Sequence, residues 1–314
     1  MQGIQIIGMG KALPARRVDN EAFTQMVETS DEWIKSRTGI QSRCFCEEEK
    51  QMDLCVEAAG KALADAGVSP AEIGLCVVAT ITPDYHTPSS ACMVQERLGL
   101  PEDIPAFDIN AACSGFVYGL EVVSCMLGSD ALPRPYALLI GAEKLSRIMN
   151  FQDRSTCVLF GDGAAAAVIR PSDTHRFFCR LGSQGDAPAL NAPGVGYPEP
   201  YIHMDGRKVF QFAVRAMENG IRLLEKETGV LANEIDQFIC HQANERIIRH
   251  VQKKLKLPKE RFYMNLDRYG NTSGASVPLA MAELMETGSL NPGTKVYCLG
   301  FGGGLTWGAA YLEF

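Results

Sequence analysis

One cysteine of this chain stands where a catalytic nucleophile would be placed, at a bend between a predicted strand and a predicted helix. Residues 104–109 form an apolar run with β character, and residues 116–126 form an apolar run of helical length. Cys113 lies between them among small residues, which leave room for a reacting group. Because a helix N-terminus favours negative charge, we expect this cysteine to be a nucleophile with a pKa below that of a free thiol.

Two polar residues in the second half of the chain are candidate partners of Cys113. His241 follows an apolar strand pattern at residues 238–240, and Asn271 precedes a second bend of small residues. In a hydrolase the histidine would deprotonate the cysteine. In a Claisen condensation a neutral histidine and the asparagine amide would instead donate hydrogen bonds to a thioester that becomes an enolate. The three residue types alone leave both chemistries open.

The elements that would position these residues recur in the same order in both halves of the chain. Residues 66–80 resemble residues 228–242, and each copy is followed by a Leu-Pro pair, a Phe-to-Asn strand and a bend of small residues. In this alignment the segment CSGFVYG from Cys113 matches TSGASVP from Thr272. A duplication of this kind would turn equivalent loops of the two halves towards one crevice.

Strands alternate with helices, which predicts an α/β architecture with mostly parallel sheets. The individual patterns predict strands and helices as follows: strands at 3–10, 75–80, 107–110 and 262–265, and helices at 30–40, 53–66 and 89–98. We expect two related halves, residues 1–172 and 173–314, with the active site between them.

Composition narrows the class of protein. The chain has 314 residues, of which 46% are hydrophobic, enough for one large domain or two compact ones. Its net charge of −7 argues against a general nucleic-acid binder. The N-terminus has no leader pattern and no long apolar run occurs, so we expect a cytoplasmic protein that does not enter a membrane. The eleven cysteines contain no C-x-x-C pair, which favours reduced thiols over disulfides or a metal site.

Six motifs in order over nearly the whole chain resemble those of one enzyme family. They are DEWIKSRTGI (31–40), NAACSGF (110–116), FGDGAAAAV (160–168), HQANERI (241–247), YGNTSGAS (269–276) and FGGGLTWGAA (301–310). The family is β-ketoacyl-acyl carrier protein synthase III, the initiating condensing enzyme of type II fatty acid synthesis in the thiolase superfamily. The resemblance implies a thiolase-like five-layered sandwich of two duplicated α/β halves, and a homodimer.

The resemblance also implies a two-step reaction without a metal or redox cofactor. An acyl-CoA acylates Cys113, and malonyl-acyl carrier protein is then decarboxylated with the help of His241 and Asn271. The backbone N–H groups of Cys113 and Gly303 would form the oxyanion hole. The alternative is a secondary-metabolism relative that keeps these residues but uses another acceptor or extender.

Further residues acquire roles only through the resemblance. Four are assigned to CoA binding: Trp33, Arg37, Arg154 and Asn244. Four basic residues on the helix after Asn244 are assigned to docking of the acidic carrier protein: Arg246, Arg249, Lys253 and Lys254. Thr87 is assigned to the primer pocket, at a position where some relatives have phenylalanine, and its smaller side chain predicts a longer or branched primer.

Overall fold

The computed structural model describes residues 3–129, 131–194 and 196–314. Its strands are β1 (Gly3–Ala12), β2 (Arg16–Asp19), β3 (Ser42–Phe45), β4 (Ile73–Ala79), β5 (Ala106–Ile109), β6 (Tyr136–Glu143), β7 (Gly163–Ser172), β8 (Phe177–Ser183), β9 (Leu190–Asn191), β10 (His203–Met204), β11 (Gln237–Cys240), β12 (Lys295–Gly302) and β13 (Thr306–Glu313). Its helices are α1 (Asn20–Phe23), α2 (Asp31–Thr38), α3 (Gln51–Ala66), α4 (Ser90–Leu98), α5 (Gly115–Leu127), α6 (Gly206–Thr228), α7 (Glu245–Leu255), α8 (Leu266–Tyr269) and α9 (Ser276–Glu286).

Two sheets of matching topology form the framework. The first has the strand order β1-β7-β6-β4-β5, and the second has the order β8-β13-β12-β11. In both, two antiparallel pairings are followed by a parallel one. Phe262 forms a single parallel bridge to Phe238 of β11, at the position that β5 occupies beside β4. The predicted strand at 262–265 is therefore wrong beyond this one bridge.

The helices form three layers around the two sheets. Helices α5 and α9 contact both sheets and share one hydrophobic core with them. Helices α3 and α4 cover the outer face of the first sheet, and α6 and α7 cover the outer face of the second. The sequences agree with this placement, because α5 is apolar nearly all round whereas α7 buries only Ile247, Ile248 and Val251. The result is a five-layered α-β-α-β-α sandwich.

Several local predictions are confirmed. The predicted helices at 30–40, 53–66 and 89–98 correspond to α2, α3 and α4, and two of them begin with a serine cap. Ser30 accepts a hydrogen bond from the N–H of Trp33, and Ser89 accepts one from Cys92. No helix in the described ranges is long and apolar enough to cross a membrane.

The two central helices begin in the same unusual way. A single 3₁₀ turn precedes each of them, Ala112–Ser114 before α5 and Ser273–Ala275 before α9. The first residue of each turn has a positive φ, 47° at Ala112 and 48° at Ser273. This correspondence pairs Cys113 with Gly274, so the sequence alignment with Thr272 is displaced by two residues. Side chains held in this backbone region are uncommon and are concentrated at functional sites.

Candidate active site

A cavity of about 340 Å³ runs between α2 and α7 towards the central helices. Its outer end is lined by Trp33, Arg37 and Asn244, and its inner end by His241 and Asn271. Between the two ends the wall is mostly apolar and includes Val158, Leu159, Phe160, Leu190, Phe210 and Ile247. A long, narrow substrate arm with a polar head at the surface would fit this shape.

Cys113 lies beside the inner end of this cavity. A Cβ atom added to Gly302, which lines the cavity, would stand only 2.7 Å from the backbone nitrogen of Cys113. Glycine at position 302 thus lets β12 approach the cysteine turn closely. Burial raises the pKa of the Cys113 thiol to about 12, and the nearby charge of Glu143 acts in the same direction. The expectation of a lowered pKa is therefore wrong, and the resting residue is a thiol.

His241 is a neutral hydrogen-bond donor. It is buried after the end of β11, and burial lowers its pKa to about 3. Its Nδ1 lies 2.7 Å from Ser276 Oγ, and the described residues offer that hydroxyl no other acceptor. The serine O–H therefore donates to Nδ1 and the imidazole proton resides on Nε2. Phe301 packs edge-on against the ring with centroids 4.9 Å apart, which fixes its orientation.

Asn271 presents its amide NH₂ to the same end of the cavity. The backbone N–H of Ser273 donates to Asn271 Oδ1 at 2.8 Å, which identifies the oxygen and leaves Nδ2 as the free end of the side chain. The Asn271 backbone is held as well, donating to Leu159 O at 2.8 Å and accepting from Gly161 N at 3.0 Å. The site thus has two neutral donors, one from His241 and one from Asn271.

Thr306 joins the glycine turn to the cysteine turn. Its hydroxyl oxygen lies 2.7 Å from Ser114 Oγ, 3.0 Å from Ala111 O and 3.1 Å from Gly303 O. Within the described ranges, neither the Cys113 N–H nor the Gly303 N–H donates to another residue. Two unpaired N–H groups on adjoining turns beside a nucleophile can stabilise an oxyanion.

The four residues assigned to CoA lie together at the outer end. Trp33 and Arg37 line the cavity, as their spacing on one helical face predicts. The Arg154 guanidinium carbon lies 5.1 Å from the centre of the Trp33 ring. Asn244 caps α7 by accepting from the N–H of Arg246 and also donates to Arg37 O at 3.0 Å.

Comparison with known proteins decides the family. A family model described as 3-oxoacyl-[acyl-carrier-protein (ACP)] synthase III matches residues 107–185, and the model of the C-terminal part matches residues 225–314. The β-ketoacyl-[acyl-carrier-protein] synthase III of Clostridium perfringens (strain SM101 / Type A) is 46% identical over 330 residues, covering 100% of both proteins. The chain belongs to the β-ketoacyl-acyl carrier protein synthase III family.

Solved structures agree with this membership. The 3-oxoacyl-[acyl-carrier-protein] synthase III of Aquifex aeolicus VF5 superposes with a TM-score of 0.95 at 42% identity, covering 99% of this chain and 100% of that one. The priming β-ketosynthase of the R1128 polyketide biosynthetic pathway gives 0.93 at 33% identity, covering 99% and 96%. The predicted family, thiolase-like fold and enzyme class are confirmed: the protein is an acyltransferase, a condensing enzyme that initiates fatty acid synthesis.

Other synthase III positions singled out in the sequence fall outside the cavity. A basic groove of about 380 Å³ beside the cavity mouth is lined by Lys35, Arg246, Arg249, His250 and Lys253, with Glu245 among them. Lys254 lies apart from this groove and pairs with Glu218 of α6 at 2.6 Å. Thr87 is exposed on the loop between β4 and α4 and does not line the cavity.

Sequence reasoning missed the residues that orient the synthase site. Ser276 and Thr306 lie within the motifs YGNTSGAS and FGGGLTWGAA, but serine and threonine in small-residue bends have many ordinary uses. Glu143 ends a buried strand pattern and is completely buried, a placement that its residue type made improbable. No local signal in the sequence distinguishes these three residues from their neighbours.

The buried imidazole makes stability depend on pH. The pKa of His241 is about 3 in the folded chain and lies near 6.5 when unfolded, so its contribution is complete above 6.5 and is lost as pH falls towards 3. Between pH 7 and pH 5, wild type should lose about 2 kcal/mol more unfolding free energy than His241→Asn. Urea unfolding at both pH values measures the difference. An equal loss in wild type and His241→Asn would contradict the prediction.

Proposed function

We propose that the enzyme condenses an acyl-CoA primer with malonyl-acyl carrier protein through an acyl group carried on Cys113. The observation that supports this reaction best is the donor character of both partner residues. His241 already carries its proton on Nε2 and has a pKa of about 3, so it suits hydrogen-bond donation rather than proton abstraction. With the Asn271 amide beside it, the pair suits an enolate, and His241 cannot be the base that the hydrolase chemistry requires of it.

The first step transfers the primer to the enzyme. The Cys113 sulfur attacks the thioester carbon of acyl-CoA while the N–H groups of Cys113 and Gly303 stabilise the oxyanion. Collapse of this intermediate breaks the carbon–sulfur bond to CoA, which leaves with the electron pair and takes up a proton from solvent.

The second step builds the new carbon–carbon bond. The malonyl thioester oxygen accepts hydrogen bonds from His241 and Asn271, and the bond to the carboxylate breaks to release CO₂. The electrons of that bond form an enolate, which attacks the acyl carbon on Cys113. The cysteine then leaves as a thiolate and the product is a β-ketoacyl carrier protein.

The cavity mouth supports a CoA substrate. The Trp33 ring, with the Arg154 guanidinium carbon 5.1 Å from its centre, provides a flat surface for an adenine base, and Arg37 provides a charge for phosphate. The mostly apolar wall beyond them suits the pantetheine arm, which carrier protein and CoA share.

We further propose that each chain consists of two related halves, 1–172 and 173–314, and that two chains form a cytoplasmic homodimer. Strand β5 is the edge of the first sheet and each of its four residues is only half-buried, so it has a free side for a second copy. Exposed Thr87 would then contribute to the primer pocket of the partner subunit, and a threonine would leave space for a longer or branched primer.

Intact-protein mass spectrometry tests the proposed reaction. The protein is incubated with a panel of acyl-CoAs, and malonyl-acyl carrier protein is then added. Gain of one acyl mass, followed by its loss to a β-ketoacyl carrier, supports the proposal and identifies the preferred primer. If malonyl-acyl carrier protein does not remove the acyl group, the second candidate is favoured, a secondary-metabolism relative that uses another acceptor or extender. The priming β-ketosynthase of the R1128 polyketide pathway has the same fold.

Carrier-protein docking can be tested on two neighbouring lysines. We propose that Lys253, exposed on the basic groove, meets the acidic carrier protein, whereas Lys254 is already paired with Glu218. Lys253→Ala should raise the KM for malonyl-acyl carrier protein about fivefold and leave acylation by acyl-CoA unchanged. Steady-state kinetics at low salt measure this, with Lys254→Ala as the control. Equal effects of the two variants would contradict a docking role for the groove.

A further inference from the structure

Cys113 is a thiol in the resting enzyme, so another group must hold its proton during the reaction. The resting thiol must lose it to attack and must regain it when the product leaves. His241 is unsuited to hold this proton, because Nε2 is already protonated and Nδ1 accepts from Ser276. A group on another side of the cysteine turn is needed.

Glu143, at the end of β6, is the buried acid next to that turn. Its Oε2 accepts from Thr82 Oγ1 at 2.6 Å, Thr80 Oγ1 at 3.2 Å and the N–H of Ile81 at 3.1 Å. Within the described part of the chain, its Oε1 accepts only the longer hydrogen bond from the Ile81 N–H, at 3.3 Å. No lysine, arginine or histidine of the described residues forms an ion pair with it. One oxygen of a fully buried carboxyl is thus left with spare accepting capacity.

The spare oxygen faces the turn that precedes α9. A Cβ atom added to Gly274 would lie 3.4 Å from Glu143 Oε1 and 3.5 Å from the carbonyl oxygen of Ala112. Gly274 has no side chain, so the carboxyl, the α9 turn and the cysteine turn all approach one another here. Position 274 is also the structural counterpart of Cys113 in the second half.

Ser273 provides the hydroxyl between the two groups. Its Oγ is buried and has no hydrogen-bond partner among the residues that the structure describes. The turn that carries it packs against both the cysteine turn and β6, and Ser273 lowers the pKa of the Cys113 thiol and that of the Glu143 carboxyl. The positive φ of 48° at Ser273 holds the side chain in this place. A buried hydroxyl without a partner is unusual, and its placement indicates a role that is filled during the reaction.

We propose that Glu143 takes the proton of Cys113 through the Ser273 hydroxyl during acylation and returns it after condensation. This inference rests on the proposed function. In the forward direction the thiol proton passes to Ser273 Oγ as the serine proton passes to Glu143 Oε1, and the sulfur electron pair forms the bond to the acyl carbon. After condensation the cysteine leaves as a thiolate and the two protons move back. Neither residue touches the substrate in this scheme: Ser273 exchanges a proton with the Cys113 sulfur, and Glu143 acts through Ser273.

The pKa of the Glu143 carboxyl allows this residue to accept a proton and release it again near neutral pH. Burial raises its pKa to about 7, although its hydrogen bonds oppose the rise. The titratable groups that face it are Cys113 and, from α3, Cys55, and both thiols have raised pKa values. The carboxyl should therefore be mostly ionised, and able to accept a proton, only above about pH 7.

Single-turnover acylation of Cys113 between pH 6 and pH 9 tests the proposal. Glu143→Gln should slow acylation on the order of 10²-fold and abolish the rise in rate near pH 7, because the amide is not a base. Ser273→Ala should slow acylation too. This variant keeps the backbone N–H that orients Asn271 and every contact of Glu143 with Thr80, Ile81 and Thr82. Rapid quenching followed by intact-protein mass spectrometry gives the rates.

Decarboxylation of malonyl-acyl carrier protein, measured as CO₂ release, is the internal control. It depends on His241 and Asn271, so both variants should retain it within about twofold of wild type. Loss of acylation and decarboxylation by the same factor, or an unchanged pH profile in Glu143→Gln, would show a purely structural role and overturn the proposal. Failure of the proposed function would be seen differently, as a wild type that is not acylated or not discharged.

Discussion

Cys113→Ala is expected to lower condensation by at least about 10⁴-fold and to remove the acyl-enzyme entirely. The thiol lies beside the inner end of the cavity, where it can form a covalent bond to an acyl carbon while the N–H groups of Cys113 and Gly303 stabilise the oxyanion. Its removal leaves His241 and Asn271 with their partners, Ser276 and the Ser273 N–H, in place. Mass spectrometry after incubation with acyl-CoA measures the loss.

Cys125→Ala is the matched control for this substitution. Cys125 is the exposed cysteine of the described residues, on α5 some three turns from the nucleophile. Exposure makes it the thiol that adventitious acylation would reach first. This variant should gain the acyl mass as wild type does. An acyl mass found on Cys113→Ala but missing from Cys125→Ala would show that Cys125 is the acylated residue. That result would refute the proposed step.

Hydrophobic patterning was sufficient to predict the framework. Strands such as β4, buried at every residue, and helices such as α5, apolar nearly all round, are recognisable because the five layers bury them on both sides. The strand predicted at 262–265 failed for the opposite reason. It lies where the second sheet ends, so a single bridge at Phe262 satisfies its backbone and the rest turns into α8.

The geometry of the active site could be predicted from the sequence less well than the framework. Placing Cys113 at a helix start suggested an acidic thiol, but burial in the central layer raises the pKa of the thiol instead. Desolvation depends on every layer around the residue, which no local window contains. The same applies to Glu143, whose carboxyl approaches the turn at Gly274 although the two residues are about 130 positions apart in sequence.

Asn271→Asp is expected to lower decarboxylation of malonyl-acyl carrier protein roughly 10²–10³-fold while Cys113 is still acylated at a rate close to wild type. The substitution preserves shape, and an Asp carboxylate oxygen still accepts from the Ser273 N–H at the position of Oδ1. What changes is the other end of the side chain, where a donor to the enolate becomes a negatively charged acceptor that repels it. CO₂ release and acyl mass, measured on the same preparation, separate the two steps.

A residue in the other half of the duplicated fold provides a control for the negative charge that Asn271→Asp introduces. Asn110 is the counterpart of Asn271 in the first half and makes the corresponding turn contact, its Oδ1 accepting from the N–H of Ala112 at 3.3 Å. It is exposed and does not line the cavity, so Asn110→Asp should leave decarboxylation within about twofold of wild type. Similar losses in both variants would mean that the turn, rather than the amide donor, limits the reaction. A loss confined to Asn271→Asp would be due to the lost hydrogen bond to the enolate. Both substitutions change the same kind of turn contact, but only Asn271 lines the cavity.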